Sequence, residues 1–288
     1  MATVVARGRR KNGSRGETKP RSAPTEPPAS AAPAYPGDPN FMASLARGLA
    51  VIRAFSQSPQ SQTIAQLSHK TGIPRAAVRR CLYTLAKLGY VTANDRHFAL
   101  QPKVLTLGHA YLSSTPLVLS AQPFLDQVNE LVHESCSMAI LDDEDILYVA
   151  RSKKTTRIMS VDLRIGSRLP AYCSSMGRVL LAHLAPTELE AYLARVKLRP
   201  YTERTVTSRE KLAQILDDVR VNGYSIVDQE LELGLRSIAV PVKDVHGNVV
   251  SAMNVGAQAA RVSVREMETR ILPHLRAAAC DLGSLLVA

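Results

Sequence analysis

Residues 71–89 read TGIPRAAVRRCLYTLAKLG, and this stretch decides the fold of the N-terminal part of the chain. Gly72 permits a sharp turn after one helix, and Pro74 suits the first position of the next helix because its missing N–H would have no partner there. At about 100° per residue, one sector of the new helix is apolar and the opposite sector is basic. The apolar set is Val78, Cys81, Leu82, Leu85 and Leu88. The outward set is Arg75, Ala76, Arg79, Arg80 and Tyr83.

Two helical patterns precede this basic helix. From Phe41 the periodicity is helical, and we expect Ser44 to cap a first helix that ends between Ser56 and Ser61. Thr63-x-x-Gln66 is the spacing of a capping box that opens a short second helix. The residues expected to point inward are Leu45, Leu49, Ile52, Ile64 and Leu67. A short helix, a tight turn and a basic helix are typical of a helix-turn-helix, which inserts its recognition helix into the DNA major groove. A generic three-helix bundle with a solvated basic face is the alternative.

The segment after the basic helix predicts a wing. Residues 90–100 read YVTANDRHFAL, with two short apolar stretches around the turn signal Asn94-Asp95. Arg96 and His97 would then lie at or beside the hairpin tip, near a phosphate or the minor groove, and a solvated tip is the alternative. The candidate DNA-contacting residues are Arg47, Thr63, Arg75, Ala76, Arg79, Arg80, Tyr83, Arg96 and His97.

The net charge of +11 is unevenly distributed along the 288 residues. Residues 41–101 carry eight lysines and arginines and a single acidic residue, Asp95, whereas residues 102–288 carry twenty-one of each sign. A basic front and a neutral rear indicate a polyanionic partner for the front, which we expect to be double-stranded DNA. Basicity that serves only solubility would not be confined to one third of the chain.

Length and composition predict a two-domain protein that does not enter a membrane. No apolar run reaches the roughly 18 residues that a spanning helix needs, and the N-terminus lacks the apolar core of a secretory signal. The four cysteines lie too far apart for a CxxC motif, which fits a reducing cytoplasm. The expected organisation is a Pro- and Ala-rich disordered basic tail over 1–40, a DNA-binding domain over 41–101, a linker helix over 102–115 and a second domain over 116–288.

The rear half combines helices with antiparallel strands. Pro102 ends the wing region, and a linker helix with Val104, Leu107 and Tyr111 on one side is broken by Pro116. Residues 136–152 (CSMAILDDEDILYVARS) predict a hairpin, and RSIAVPV and VVSAMNV are strands that flank a turn at 244–248. The remaining predictions are a helix that contains Leu125, Val128, Leu131 and Val132, and a last helix that opens with the capping box Ser263–Glu266 and continues through Ile271, Leu275, Ala278 and Leu282. A mixed sheet wrapped by helices follows, so the fold class is α+β.

Three stretches resemble the IclR family of regulators: LARGLAVIRAF, TGIPRAAVRRCLYTL and GSRLPAYCSSMGRVLLA. The resemblance runs from about Ala43 to the C-terminus. It implies a winged helix-turn-helix joined by a linker helix to a GAF-like α/β effector-binding domain. It also implies homodimers or dimers of dimers on palindromic operators, in the cytoplasm and associated with the nucleoid. Within the family, RGLAVI and RLPAYCSSMGR are similar to regulators of aromatic-acid catabolism, the protocatechuate, 4-hydroxybenzoate and β-ketoadipate group.

A strand-to-helix junction is the candidate effector site. The strand ending at 169–172 and the helix beginning near Ser174 would offer backbone N–H groups and two hydroxyls to a carboxylate. The alternative is that Ser174 only caps its own helix. The resemblance implies a pocket formed by this junction, the stretch after the D-x-E segment and the strand SAMNVG. The candidate effector-contacting residues are Ser174, Ser175, Met176, Gly177, Asp228, Leu235, Arg236, Ser237, Ala252 and Asn254.

The effector is expected to be a small carboxylic acid, and an aromatic one. Ser175-Met176 stand where the glyoxylate-sensing branch of the family has Gly-Ala, and these larger side chains disfavour a very small acid. An aromatic acid needs an apolar slot together with a cation or a hydroxyl pair for its carboxylate. Three arginines are candidate cations: Arg157, Arg168 and Arg236. For each of these arginines, the alternative to binding the effector is a surface ion pair with Glu230 or Glu232.

Catalysis is not expected. The chain lacks the nucleophile elbow G-x-S-x-G, the zinc helix H-E-x-x-H, the phosphate loop G-x-x-x-x-G-K-[ST] and the fingerprint G-x-G-x-x-G. Cys173 is the one imaginable nucleophile, and no base partner can be assigned to it. We expect no enzyme activity, no cofactor and no metal. Two other classes are an architectural DNA-binding protein without effector and an enzyme fused to a DNA-anchoring domain.

Overall fold

The computed structural model describes residues 38–56, 61–152 and 163–286. The tail expected at 1–40 therefore lies almost entirely outside the described residues, as does Arg157. Among the described residues, none of the helices combines the length and the apolar character that crossing a bilayer requires.

Three helices and a small sheet form the N-terminal unit. The elements are α1 (Ala43–Arg53), β1 (Gln62–Thr63), α2 (Ile64–Thr71), α3 (Arg75–Lys87), β2 (Val91–Asn94) and β3 (His97–Leu100). The capping box Thr63–Gln66 is confirmed, and Gly72 ends α2 in the left-handed region at φ 68°. The strands pair antiparallel in the order β1-β3-β2. The predicted wing is therefore present, and β1 adds a third strand that the sequence did not indicate.

The first helix differs from its prediction at both the cap and the buried face. Met42 precedes α1 without a side-chain cap, and Ser44 lies inside the helix. Leu45 and Leu49 are 58% and 49% exposed, and the core is formed instead by Ala50, Val51, Ala54 and Phe55. The helix carries two apolar stripes, and periodicity alone does not decide which of them packs.

The basic helix α3 packs largely as predicted. Val78, Leu82 and Leu85 are buried and Cys81 is half-buried. The prediction was wrong for Leu88, which follows the last helical residue and is exposed. Pro74 is the N-cap of α3 rather than its first residue.

Two helices connect the small unit to the large sheet. A 3-10 turn over Pro102–Val104 leads into α4 (Leu105–Ser114), and α5 (Pro116–Val132) follows after a single residue. The helix α4 buries none of its residues within the chain. The helix α5 contains the four residues predicted for it, of which Leu125, Val128 and Val132 are buried and Leu131 is exposed.

A six-stranded antiparallel sheet forms the centre of the rear unit. Its strands are β4 (Ser135–Asp142), β5 (Asp145–Arg151), β6 (Arg168–Pro170), β7 (Ser225–Asp228), β8 (Leu235–Lys243) and β9 (Val249–Gln258). Their order is β6-β5-β4-β9-β8-β7. Its helices are α6 (Ser175–Ala182), α7 (Pro186–Arg195), α8 (Arg209–Asn222), α9 (Val264–Glu266) and α10 (Leu272–Ser284), with a π turn at Met267–Ile271 before α10. Both hairpins and the Ser263–Glu266 capping box match the predictions.

The sheet separates two apolar cores. One face packs against α5 and α10, where Met138, Ile238 and Met253 meet Leu125 and Leu275. The other face packs against α6, α7 and α8 and includes Ala139, Tyr148, Ala239 and Ala252 together with Met176. The N-terminal unit has its own core around Val51, Leu67, Val78 and Leu82. Two layers of helices on one sheet confirm the α+β class.

Candidate functional site

The outward face of α3 is basic and open. Arg75, Ala76, Arg79, Arg80 and Tyr83 are all exposed. Asp95 is the only acidic residue between positions 41 and 101, and within the described residues no ion pair involves an arginine of α3. The guanidinium groups are therefore available to a phosphate or a base edge.

The other predicted DNA-contacting residues surround this helix. Partial burial raises the pKa of the Cys81 thiol, and the charge of Arg47 opposes that rise, which places exposed Arg47 close to α3. Arg96 lies in the wing turn, and His97 pairs in register with Thr63. The hydroxyl of Thr63 accepts the backbone N–H of Gln66 at 3.3 Å, so it serves the cap of α2. Backbone pairing thus brings Thr63 beside the tip of the wing.

In the rear unit, the face of the sheet toward α6 changes from polar to apolar along its strands. We call this the α6 face and describe it by three cross-strand rows. The first row is Ser237, Gly256 and Ser135; the second is Ala239, Asn254, Ser137 and Arg151; the third is Pro241, Ala252, Ala139 and Tyr148. Ser237, Asn254 and Ser137 are buried polar residues on this face. The predicted residues Ser237, Ala252 and Asn254 are therefore brought together, with Leu235 at the start of the same strand as Ser237.

The first turn of α6 lies over this face. The hydroxyl of Ser174 accepts the N–H of Gly177 at 3.2 Å, so Ser174 caps its own helix. Ser175 is 1% exposed, and its Oγ has no hydrogen-bond partner among the described residues. The same is true of Asn254 Oδ1 on β9. A buried polar group without a partner costs about 1–3 kcal/mol, which makes these two atoms candidates for contact with a ligand.

Two predicted residues lie elsewhere. Asp228 and Arg236 are paired in register, and Arg236 alternates with Ser237, so it points to the sheet face opposite α6. There its guanidinium binds Asp228 at 2.8 Å and the carbonyl oxygens of Ala259 and Val262. Successive side chains of a strand point to opposite faces of the sheet. Asp228 and Arg236 therefore do not lie on the α6 face.

The candidate cation Arg168 is also occupied. It forms ion pairs with Asp142 and, at 3.1 Å, with Asp145, both on the hairpin next to its own strand. Glu230, the partner considered for the candidate arginines, instead binds Arg178. Sequence reasoning did not single out Arg178.

Arg178 and Glu230 form a buried ion pair at the base of α6. Two guanidinium nitrogens of Arg178 donate to the two carboxylate oxygens of Glu230, each at 2.7 Å. Arg178 Nε also donates to the carbonyl of Tyr172, and Glu230 accepts the N–H of Val206 at 3.0 Å. This network fixes the first turn of α6 against two loops. The signal in the sequence was an arginine in the otherwise apolar stretch SSMGRVLLA, and its partner lies 52 residues away.

Cys173 lacks the environment of a nucleophile. It is buried, and burial raises the pKa of its thiol to about 12. Its Sγ donates a long hydrogen bond, 3.9 Å, to the carbonyl of Pro170. A thiol that stays protonated near neutral pH is a poor nucleophile.

Two family models match most of the chain. Residues 44–95 match the IclR helix-turn-helix domain, and residues 109–284 match the C-terminal domain of the bacterial transcriptional regulator IclR. The Pca regulon regulatory protein of Pseudomonas putida is 55% identical over 269 residues, which is 92% of each chain.

Two further relatives have names that mention an aromatic acid. The p-hydroxybenzoate hydroxylase transcriptional activator of Acinetobacter baylyi is 35% identical, over 86% of this chain and 93% of its own. The crystal structure of an IclR homologue from Microbacterium hydrocarbonoxydans complexed with 4-hydroxybenzoate superposes with a TM-score of 0.71 and 26% identity, covering 84% of this chain and 98% of that one. The recognition helix, the helix-covered sheet and these matches agree: the chain belongs to the IclR family of transcriptional regulators.

Proposed function

We propose that this regulator binds a palindromic operator as a homodimer, or as a dimer of dimers, and responds to an aromatic carboxylic acid of a catabolic pathway. The observation that carries the proposal is the α6 face. A sheet face with buried Ser and Asn side chains lies under a helix whose Ser175 hydroxyl has no partner among the described residues. Polar groups at a few points of an apolar cavity are what orient a small ligand.

The chemistry of the relatives' ligands supports an aromatic acid. One relative is named as the activator for p-hydroxybenzoate hydroxylase, and another was crystallised with 4-hydroxybenzoate. The aromatic ring of the acid would contact Met176, the third row of the α6 face and the carbon atoms around Ser175. Ser175 and Asn254 would bind the polar substituents.

Exposed apolar surface on α1 and α4 supports a homodimer. Leu45 and Leu49 on α1, together with Leu107 and Tyr111 on α4, are large apolar side chains that the chain leaves in solvent. Large apolar patches that a monomer leaves exposed commonly mark protein–protein interfaces. A second copy would cover them and place two α3 helices in successive major grooves of a palindromic site. Bound to its operator, the protein would be associated with the nucleoid.

The effector can act only if it binds one dimer arrangement more tightly than another. The arrangement that fits the operator spacing would then gain or lose population. Such a switch needs no catalysis by the effector domain.

Fluorescence anisotropy tests the proposal directly. The DNA upstream of the protein's own gene is titrated at physiological salt against random DNA of equal length, with and without 4-hydroxybenzoate or protocatechuate. We expect a preference of about a thousandfold or more for the upstream DNA and a shift with one of the acids. Equal binding to both DNAs without a ligand effect would instead support an architectural role.

Arg79→Ala tests base reading by α3. Loss of a bidentate contact to a base is expected to cost about 1–3 kcal/mol on the operator and much less on random DNA. The matched control is Arg53→Ala at the end of α1. This substitution should weaken binding to both DNAs slightly and by the same factor. Equal losses on operator and random DNA for Arg79→Ala would exclude a base-reading role.

A further inference from the structure

The second row of the α6 face contains a cation that sequence reasoning missed. Arg151 lies opposite Ser137, which lies opposite Asn254. Neighbouring strands are about 4.8 Å apart, so a guanidinium, a hydroxyl and an amide follow one another across three strands. The next position in the row is the small Ala239.

The position of the Arg151 guanidinium agrees with this register. Its central carbon lies 5.8 Å from the ring centroid of Tyr148, a residue of the α6 face. One terminal nitrogen donates to the carbonyl of Leu163. Its Nε is buried and has no hydrogen-bond partner among the described residues.

Arg151 differs in its charge balance from three other arginines of the rear unit. Arg168, Arg178 and Arg236 each bind at least one carboxylate. Within the described residues, no ion pair involves Arg151. A half-buried cation with no anionic partner among these residues is costly to keep charged, and a ligand carboxylate would supply the partner.

The row next to it is suited to a ring. Ala139 and Ala252 lie side by side in the third row, flanked by Tyr148 and facing the core that contains Met176. The alanine side chains of this row are small, which suits a flat apolar group between the sheet and α6. The polar and apolar rows are adjacent, as the carboxylate and the ring of a benzoate are.

On the basis of the proposed function, we propose that Arg151 binds the carboxylate of the effector, assisted by the Ser137 hydroxyl, while the aromatic ring lies over Ala139 and Ala252. This assignment fixes the orientation of the ligand. It makes Arg151 the residue that distinguishes an acid from a neutral analogue of equal size.

Calorimetry of the full-length protein with 4-hydroxybenzoate and with 4-hydroxybenzamide tests the assignment. The two compounds have the same ring and hydroxyl, and only the acid carries a negative charge. We expect the wild type to prefer the acid, and Arg151→Gln to lose about ten- to a hundredfold in affinity for the acid while its affinity for the amide changes little. Arg151→Lys should keep part of the preference, because the charge remains without the planar fork.

Arg195→Gln is the matched control, since Arg195 is exposed on α7 and its guanidinium carbon likewise lies over a tyrosine ring, 6.0 Å from the centroid of Tyr192. It should bind both compounds as the wild type does. Should Arg151→Gln fail to fold, Ser137→Ala is expected to lose several-fold for the acid and not for the amide. An acid preference that survives these substitutions would overturn the assignment of Arg151. If neither compound bound the wild type, the aromatic-acid effector itself would be wrong, and the assignment with it.

Discussion

Arg178 places a charge in the interior, with its side chain only 2% exposed. Arg178→Met would leave the Glu230 carboxylate buried without its cation, and we expect a loss of about 3–5 kcal/mol in the free energy of unfolding. Urea denaturation measures it. Arg204→Met is the control, since the Arg204–Asp228 pair is largely exposed and should contribute at most about 1 kcal/mol. Equal losses in the two variants would show that the buried pair is not special.

The double variant Arg178→Met with Glu230→Gln separates charge from shape. The glutamine keeps an acceptor for the N–H of Val206 and removes the uncompensated charge. We therefore expect it to recover part of the stability that Arg178→Met loses. A further loss would mean that the carboxylate is stabilised by other groups.

Glu134 should make stability fall as the pH rises. Burial raises the pKa of its carboxyl, and the nearby charges of Arg261 and Arg270 only oppose that rise. The folded state therefore holds this proton more tightly than the unfolded state, and the stability it contributes below the ordinary pKa is lost as the pH passes the raised value. As the pH rises above the ordinary glutamate pKa of about 4.3, Glu134→Gln should gain in unfolding free energy relative to the wild type. A difference that does not depend on pH would contradict this.

At the residue scale, the sequence identified types of side chain better than their partners. It predicted Ser237 and Asn254 as effector contacts, but it did not decide which of Arg157, Arg168 and Arg236 would bind the carboxylate. The choice depends on ion pairs such as Arg168–Asp142, which join residues far apart in the chain. Arg151 was missed because its place opposite Ser137 depends on the register of a hairpin with an irregularity between Met138 and Ala139.

At the scale of one helix, Gly177 allows α6 to approach the segment before it. A Cβ at this position would lie 2.1 Å from the carbonyl oxygen of Ala171. Although alanine favours helix by about 1 kcal/mol over glycine, we expect Gly177→Ala to lower the melting temperature and to weaken effector binding. Both effects require α6 to move off the sheet.

Gly108→Ala in α4 is the control for Gly177→Ala. Apart from its chain neighbours and its own helix backbone, no atom of the described residues lies within 4 Å of a Cβ at Gly108. We expect it to leave the melting temperature unchanged or to raise it slightly. If Gly177→Ala behaved in the same way, the close approach to Ala171 would not constrain α6.

Elements with local signals were predicted well, and those without them were not. The two capping boxes and the hairpin turns depend on residues within a few positions of each other. The inward face of α1 depends on which of two apolar stripes meets α3, and β1 is a strand only because Thr63 pairs with His97, 34 positions later in the chain. Such choices are made by tertiary contacts.

For the whole molecule, charge partition was the most informative property of the sequence. It separated a basic front from a neutral rear, and membership of the IclR family confirmed a DNA-binding regulator rather than an enzyme. The strand order of the rear sheet was beyond the sequence, since β4 pairs with β9 more than a hundred residues later. The α6 face exists only through that pairing.

The exposed apolar surface of α1 and α4 is the expected contact between two copies of the protein. Leu107 and Tyr111 are one turn apart on α4, and neither is buried within the chain. Replacing both by Glu should leave the monomer folded and raise the dimer dissociation constant by about a hundredfold or more, because two apolar contacts are lost and charges enter the interface. Sedimentation equilibrium measures the association, and the preference for a palindrome over a half-site should fall with it. Val221→Glu, at a position 85% exposed on α8, should change neither quantity. Unchanged association in the double variant would place the dimer contact on another surface.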